Sequence, residues 1–176
     1  MDESNGKIPR KYKYSYKPEV KEQYGRIFHQ EHIGKYSAKI GQICDNIRQS
    51  QGIVLIYSQY IDGGAVPMAL ALEEMGFARY SSSSHMTSLF ESPPSEAIDA
   101  LTMKPREPDA KVFRPAKYMM ITGDKAYSPQ NAEDMKMITQ KENARGENIK
   151  VVIISKAGSE GLDFKNIRQT HILDPW

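Results

Sequence analysis

The chain has 176 residues, of which 39% are hydrophobic, 24 are Lys or Arg and 22 are Asp or Glu, giving a formal net charge of +2. One domain of this length buries roughly 70% of its unfolded surface, and the single cysteine, Cys44, excludes an internal disulfide framework or a multi-cysteine zinc site. No apolar run approaches the ~18 residues of a membrane span and the Met1 end lacks a signal peptide's hydrophobic stretch, so the expectation is a soluble, intracellular protein without membrane contact.

Charge is uneven along the chain. Residues 1–26 carry seven basic and four acidic side chains, whereas residues 51–176 carry 14 basic and 16 acidic ones. The segment KIPRKYKYSYKPE interleaves Lys7, Arg10, Lys11, Lys13 and Lys17 with Tyr12, Tyr14 and Tyr16. Such a mixture can hold phosphates and stack on bases. It equally suits a solvated tail or a connector, with Pro9 and Pro18 discouraging helix. Residues 1–35 are therefore read as a basic, Tyr-rich head or linker, and 36–176 as the domain.

From Ser37, a plausible N-cap, Ile40, Ile43, Cys44 and Ile47 recur at helical spacing, and this helix should end near Gln51-Gly52. Ile53 to Tyr57 is a short, β-branched apolar run of the kind covered on both faces in a parallel sheet. A second helix follows Asp62-Gly63-Gly64, holds Val66, Ala69, Leu70 and Glu73 to Met75, and is closed by Gly76. Phe77 to Tyr80 reads as a second strand. Residues 81–116, with four consecutive serines and Pro93, Pro94, Pro105, Pro108 and Pro115, interrupt the pattern. They read as an insertion with one short helix near Ser95 to Met103. Lys117 to Ile121 is a third strand, Asn131 to Thr139 a helix, Val151 to Ile154 a fourth strand, and His171 to Leu173 the last. Alternating strands and helices predict an α/β domain with a mostly parallel sheet.

In open α/β sheets ligands bind beyond the carboxyl ends of the strands. The residues to examine are thus Tyr57-Ser58-Gln59-Tyr60, Thr122-Gly123-Asp124 and SKAGSEGLDF at 155–164. Gly158 and Gly161 flank Ser159-Glu160, so the backbone can approach a phosphate closely, and Asp163 can accept from ribose hydroxyls. A glycine-rich turn capped by Ser and Asp explains the same residues without a ligand. There is no G-x-x-x-x-G-K-S/T phosphate loop, no DE-x-x tetrad and no G-x-G-x-x-G. His29, His32, His85 and His171 show no convincing metal spacing, so no metal site is expected.

The blocks GIVLIYSQYIDGG, YMMITGD and VVIISKAGSEGLDFKNIRQTHILDPW occur in that order over about residues 36–176. They resemble the C-terminal RecA-like lobe of superfamily-two helicases, and in particular the helicase-like ATPases of large nucleocytoplasmic DNA viruses. That group includes the poxvirus early transcription factor and nucleoside triphosphatases. The resemblance implies an α/β, RecA-like parallel sheet flanked by helices, which stops before motif VI. It assigns Ser58 and Gln59 to motif IV along the nucleic-acid backbone, and Thr122 and Gly123 to a strand-end block that faces a phosphate. Gly158, Ser159 and Glu160 would lie by the nucleic-acid strand, and Gly161 and Asp163 by ATP, with Asp163 near the ribose.

The implied cofactors are ATP and Mg2+ in a full enzyme. The implied partners are DNA or RNA, an N-terminal RecA-like lobe, and RNA polymerase or transcription factors. Motif VI, Q-x-x-G-R-x-x-R, would follow Trp176 and supply arginine fingers, worth about 10³–10⁵ in rate. No catalytic residue is therefore expected within this chain, and the lobe alone should be inactive. The rival expectation is a non-catalytic nucleic-acid or transcription-complex binding module that uses the head and the 81–116 insertion as docking surfaces. A freestanding nucleotide-binding domain is a third.

Overall fold

Three consecutive apolar runs, IVLIYS, KYMMI and VVIIS, become the centre of a five-stranded sheet. In the computed structural model, which describes residues 13–83, 88–158 and 163–174, the strands are β1 (Ile53–Ser58), β2 (Ala78–Tyr80), β3 (Lys117–Ile121), β4 (Val151–Ser155) and β5 (Ile167–Ile172). Their order is β2-β3-β4-β1-β5 and every pairing is parallel. Successive side chains point to opposite faces, so the runs feed two cores. Val54, Ile56, Tyr118, Met120, Val151 and Ile153 belong to one, and Ile53, Met119, Ile121, Val152 and Ile154 to the other. Apolar residues on both faces are what a parallel sheet between two helical layers requires.

The helices are α1 (Pro18–Tyr24), α2 (Gln30–Tyr36), α3 (Ala38–Gln49), α4 (Val66–Glu74) and α5 (Asn131–Thr139). Ser37 serves two of them: its N–H donates to Ile33 O at 2.7 Å, closing α2, and its Oγ accepts from Ile40 N at 3.2 Å, opening α3. Gly41 lets α3 cross α2 closely, because a Cβ there would stand 3.3 Å from Gly34 Cα. Residues 66 and 68–74 of α4 are buried, as expected of an apolar helix sandwiched between the sheet and a further layer. On the opposite face α5 contributes Ile138.

Cys44 on α3 is 1% exposed, and burial pushes its thiol up to about 12. Only the thiolate attacks an alkylating reagent, and at pH 8 roughly one thiol in 10⁴ is ionised at such a pKa. Iodoacetamide is therefore expected to label the native protein orders of magnitude more slowly than the urea-unfolded chain. Equal labelling rates would show that α3 does not hold its packed position.

Several sequence expectations are corrected. Pro18 does not prevent helix; it opens α1, in the first turn, where its missing N–H costs nothing. Residues 95–103 form no helix: Ile98 and Asp99 make isolated bridges to Pro105 and Pro115, and a turn follows at 100–102. The Asp99 side chain takes the N–H groups of Leu101 (2.9 Å), Thr102 (3.0 Å) and Arg114 (2.8 Å), and Met103 has φ of 58°. Burial alone would raise this carboxyl, but the three N–H donors outweigh it and hold the group below the ordinary range. A side chain that satisfies backbone donors in this way competes with helix. The last strand starts at Ile167 instead of His171 and stops one residue before Leu173. Its alternating half-buried and exposed residues mark an edge strand with one open face.

Tyr14 and Tyr16 of the N-terminal segment are turned inward, whereas Tyr12 lies outside the described residues. Tyr14 bridges to Phe90, its N–H donates to Leu89 O (2.8 Å), and its hydroxyl meets that of Tyr127 at 2.8 Å. Tyr16 OH donates to Glu74 Oε1 at 2.6 Å. Neither ring is free to stack on a base.

The agents of this docking are two adjacent buried carboxylates on α4. Glu73 accepts from Leu89 N (2.7 Å), Phe90 N (3.0 Å), Tyr118 OH (2.7 Å) and Ser88 Oγ. Glu74 pairs with Arg26, whose guanidinium also reaches Pro94 O at 2.7 Å. The N-terminal segment and residues 88–95 are thus fastened to α4 by hydrogen bonds.

Candidate nucleic-acid and nucleotide interface

Because all five strands run parallel, their carboxyl ends share one edge of the sheet. The loops after β3, β4, β1 and β5 follow one another along this rim in that order. Three of the four carry the residues singled out by sequence: Thr122 and Gly123 after β3, Gly158 after β4, and Ser58 and Gln59 from the end of β1. Asp163 lies between β4 and β5 and is exposed. Ser159, Glu160 and Gly161 lie outside the described residues.

The loops after β3 and β4 interlock through glycine. A Cβ on Gly123 would stand 2.6 Å from Ala157 Cβ, and one on Gly158 would collide with the Ile121 carbonyl, 2.7 Å from its carbon. Only hydrogen at these positions lets the two turns lie against each other. Gly123 remains exposed and Gly158 is buried, so the first can face a ligand while the second sets the spacing.

The hydroxyls behave differently from the simple expectation of direct backbone contact. Thr122 is 1% exposed, and its Oγ1 sits 2.9 Å from Ser128 Oγ and 3.1 Å from Asp124 O. Its own N–H donates to Ser128 Oγ at 2.8 Å, and its carbonyl accepts from Asn131 Nδ2 at 2.9 Å. Ser58 is fully buried; its hydroxyl donates to Tyr60 O at 2.9 Å and accepts from Tyr60 N at 3.2 Å. Gly64, in the π-helical turn Ile61–Ala65, leaves room for it, since a Cβ there would be 2.9 Å from Ser58 Cβ. Thr122 and Ser58 shape their turns, and the outward groups beside them are Gln59, Tyr60 and Gly123.

Sequence reasoning missed the residues that hold these turns. Ser128 and Asn131 fix Thr122 from the start of the α5 region. Asp174 Oδ2 accepts from Gln59 N at 2.7 Å, and Lys39 Nζ donates to Leu173 O at 2.6 Å. Asp174 closely follows β5, so its place at the same rim was available as a signal once strand ends were considered.

The exposed carboxylate of Asp163 fits hydrogen bonding to ribose hydroxyls. Among the described residues no three His, Cys, Asp or Glu side chains gather into a metal-binding group.

A parallel sheet covered on both faces, with its glycine-bearing loops along one rim, is a RecA-like α/β fold. The chain is similar to viral proteins that carry helicase or termination-factor names. One is "Termination factor NPH-I homolog" of African swine fever virus, Tick/Malawi isolate, 32% identical over 148 residues that make up 80% of this chain and 21% of the relative. Its counterpart in the Warthog/Namibia isolate is 33% identical over 150 residues, again 80% and 21% of the two chains. "Putative helicase 087L" of Invertebrate iridescent virus 3 is 24% identical over 163 residues, 90% of this chain and 14% of the relative. The resemblance to the helicase-like proteins of large DNA viruses holds over most of the sequence. The chain spans about a fifth of the length of the African swine fever virus relatives it matches. No protein-family model matches it, and no solved structure does.

Proposed function

We propose that this chain is the C-terminal RecA-like lobe of an ATP-dependent nucleic-acid translocase or helicase acting in viral transcription. The observation that supports the reading is that Gln59, Gly123 and Gly158 follow strands whose carboxyl ends share one rim of a parallel sheet, in a chain similar to viral termination-factor and helicase proteins. In that role Gln59 and Gly123 touch the nucleic-acid backbone, with Ser58, Thr122 and Gly158 setting loop shape behind them. The family resemblance assigns Ser159 and Glu160 to the nucleic-acid strand and Gly161 and Asp163 to ATP, with Asp163 accepting from the ribose. The phosphate loop and Mg2+-binding acid come from an N-terminal RecA-like lobe, and closure of the two lobes around ATP drives grip and release of DNA or RNA. RNA polymerase or a transcription factor is the partner that such a motor would serve.

The test compares three proteins. The 176-residue chain alone is expected to show no nucleic-acid-stimulated ATP turnover. A polypeptide that joins it to a phosphate-loop lobe is expected to show turnover. In that joined protein Asp163→Ala should lower kcat/KM for ATP about ten-fold while nucleic-acid affinity stays within two-fold, the size expected for one lost charge-assisted hydrogen bond. Robust turnover by the chain alone, or unchanged kcat and KM in the variant, would overturn the assignment. Nucleic-acid binding without turnover in the joined protein would favour a non-catalytic binding module.

A further inference from the structure

The opposite rim of the sheet, where the strands begin, carries a feature that the helicase-like reading does not use. The residues before β1, the loop before β4 and the second residue of β5 meet there, with Leu101 of the insertion, around a cavity of about 610 Å³. Its basic lining residues are Arg145 and Lys150, both before β4, and Arg168 in β5, and none of the lining residues described is acidic. Pockets of roughly 300–1,000 Å³ are the size that holds small ligands. The backbone here is drawn tight by two glycines with positive φ. Gly52 has φ of 76°, and a Cβ on it would lie 3.2 Å from Arg168 Cβ; Gly146 has φ of 79° and lies against Gly52 O.

The three cations differ in what they already bind. Lys150 is 1% exposed, and its Nζ donates to Ser50 O at 2.9 Å, which leaves two of its three donors for another acceptor. Burial pushes its ammonium below the ordinary range, and no carboxylate offsets that loss. Arg145 and Arg168 are exposed, and among the described residues neither guanidinium has a hydrogen-bond or ion-pair partner. The nearby carboxylate of Glu147 turns to Arg145's backbone N–H at 3.2 Å, not to its side chain. A buried ammonium without a counter-charge is costly. An anion in the hollow offsets that cost. Arginine forks match the oxygens of a phosphate, and the buried lysine adds a point charge behind them.

We propose that this cavity is a phosphate-binding site, separate from the motif-bearing rim, in which Arg145, Lys150 and Arg168 hold a phosphate group of a nucleotide or of a nucleic-acid backbone. The site does not depend on the motor reading, and its test needs no ATP turnover.

Inorganic pyrophosphate is titrated into the 176-residue chain at low salt, followed by calorimetry and by amide shifts in ¹⁵N-labelled protein. The expected result is saturable binding that moves the Gly52, Ala144 and Gly146 amide signals, with affinity reduced roughly ten-fold or more in the R145E/R168E double variant. Arg145→Ala alone, at an exposed position where folding is not at risk, should weaken binding several-fold. Competition by a short single-stranded oligonucleotide, but not by AMP, assigns the site to a polynucleotide backbone, and competition by AMP assigns it to a nucleotide; either supports the proposal. Absence of pyrophosphate binding, unchanged affinity in both variants, or shifts confined to the opposite rim would overturn it.

Discussion

Replacing Glu73 by glutamine is expected to destabilise the protein by about 2–4 kcal/mol, the range for breaking a buried charged hydrogen-bond network. The side chain is 2% exposed and its two oxygens accept from four donors: two backbone N–H groups, a serine hydroxyl and the Tyr118 hydroxyl. Glutamine keeps the shape but turns one acceptor into a donor, so groups that now meet an oxygen face an N–H. Tyr118 cannot compensate by ionising. Burial, reinforced by the Glu73 charge, raises its hydroxyl well above the ordinary range, so it stays a donor.

At this chain length 1 kcal/mol corresponds to about 2–4 °C in Tm, and a fall of roughly 5–15 °C is expected by differential scanning calorimetry. Tyr118→Phe, which removes one donor and leaves the carboxylate in place, should cost only about 1 kcal/mol. Glu74→Gln should cost less than Glu73→Gln, because its partner Arg26 keeps about a third of its side chain in water (32%). A Glu73→Gln protein with unchanged Tm would show that the 88–95 segment is not held by this carboxylate.

Gly158→Ala is expected to cost about 2–3 kcal/mol, the upper range for an added methyl in a packed interior. The cost is high because the obstacle is backbone. The new Cβ would meet the Ile121 carbonyl and lie 3.0 Å from Thr122 N, atoms fixed by the β3–β4 pairing, so no rotamer change can relieve the clash. The rim must open between the loops after β3 and β4, and in a protein joined to a phosphate-loop lobe nucleic-acid-stimulated turnover should fall with it. Gly34→Ala is the opposite case. Nothing lies within 4 Å of its would-be Cβ, and in the interior of α2 alanine should stabilise by up to about 1 kcal/mol. Equal melting temperatures for both variants would refute the close packing assigned to Gly158.

Gly158, Thr122 and Ser58 show why the candidate site was only partly legible beforehand. Gly158 stands out in the sequence as one of a pair of glycines after an apolar run, which suggests close backbone approach to a ligand. What approaches it in the fold is the chain itself, at Ile121. Thr122 and Ser58 likewise read as ligand-facing hydroxyls at strand ends, yet their hydroxyls are used within their own turns. A strand end tells where a side chain emerges, and only the neighbouring turns decide whether water or protein meets it.

The amino-acid sequence by itself determined the central strands of the sheet and which loops share its carboxyl edge. Apolar runs at β1, β3 and β4, helical spacing through α3 and α4, and Ser37 and Gly76 at helix ends are local signals. Each element is specified by residues within a few positions of one another. Parallel connectivity then places the loops of interest on one rim without further information. The tertiary structure alone decided what lies far apart in sequence. It turned Tyr14 and Tyr16 inward onto α4 and the insertion, replaced a helix by the Asp99 turn, and brought Arg145, Lys150 and Arg168 around one hollow. Those outcomes depend on partners such as Arg26 and Glu74, or Glu73 and Tyr118, that are brought together only by the finished fold. Net charge illustrates the difference. A value of +2 for 176 residues describes the chain, whereas three cations at the strand starts and two buried glutamates on α4 describe the molecule.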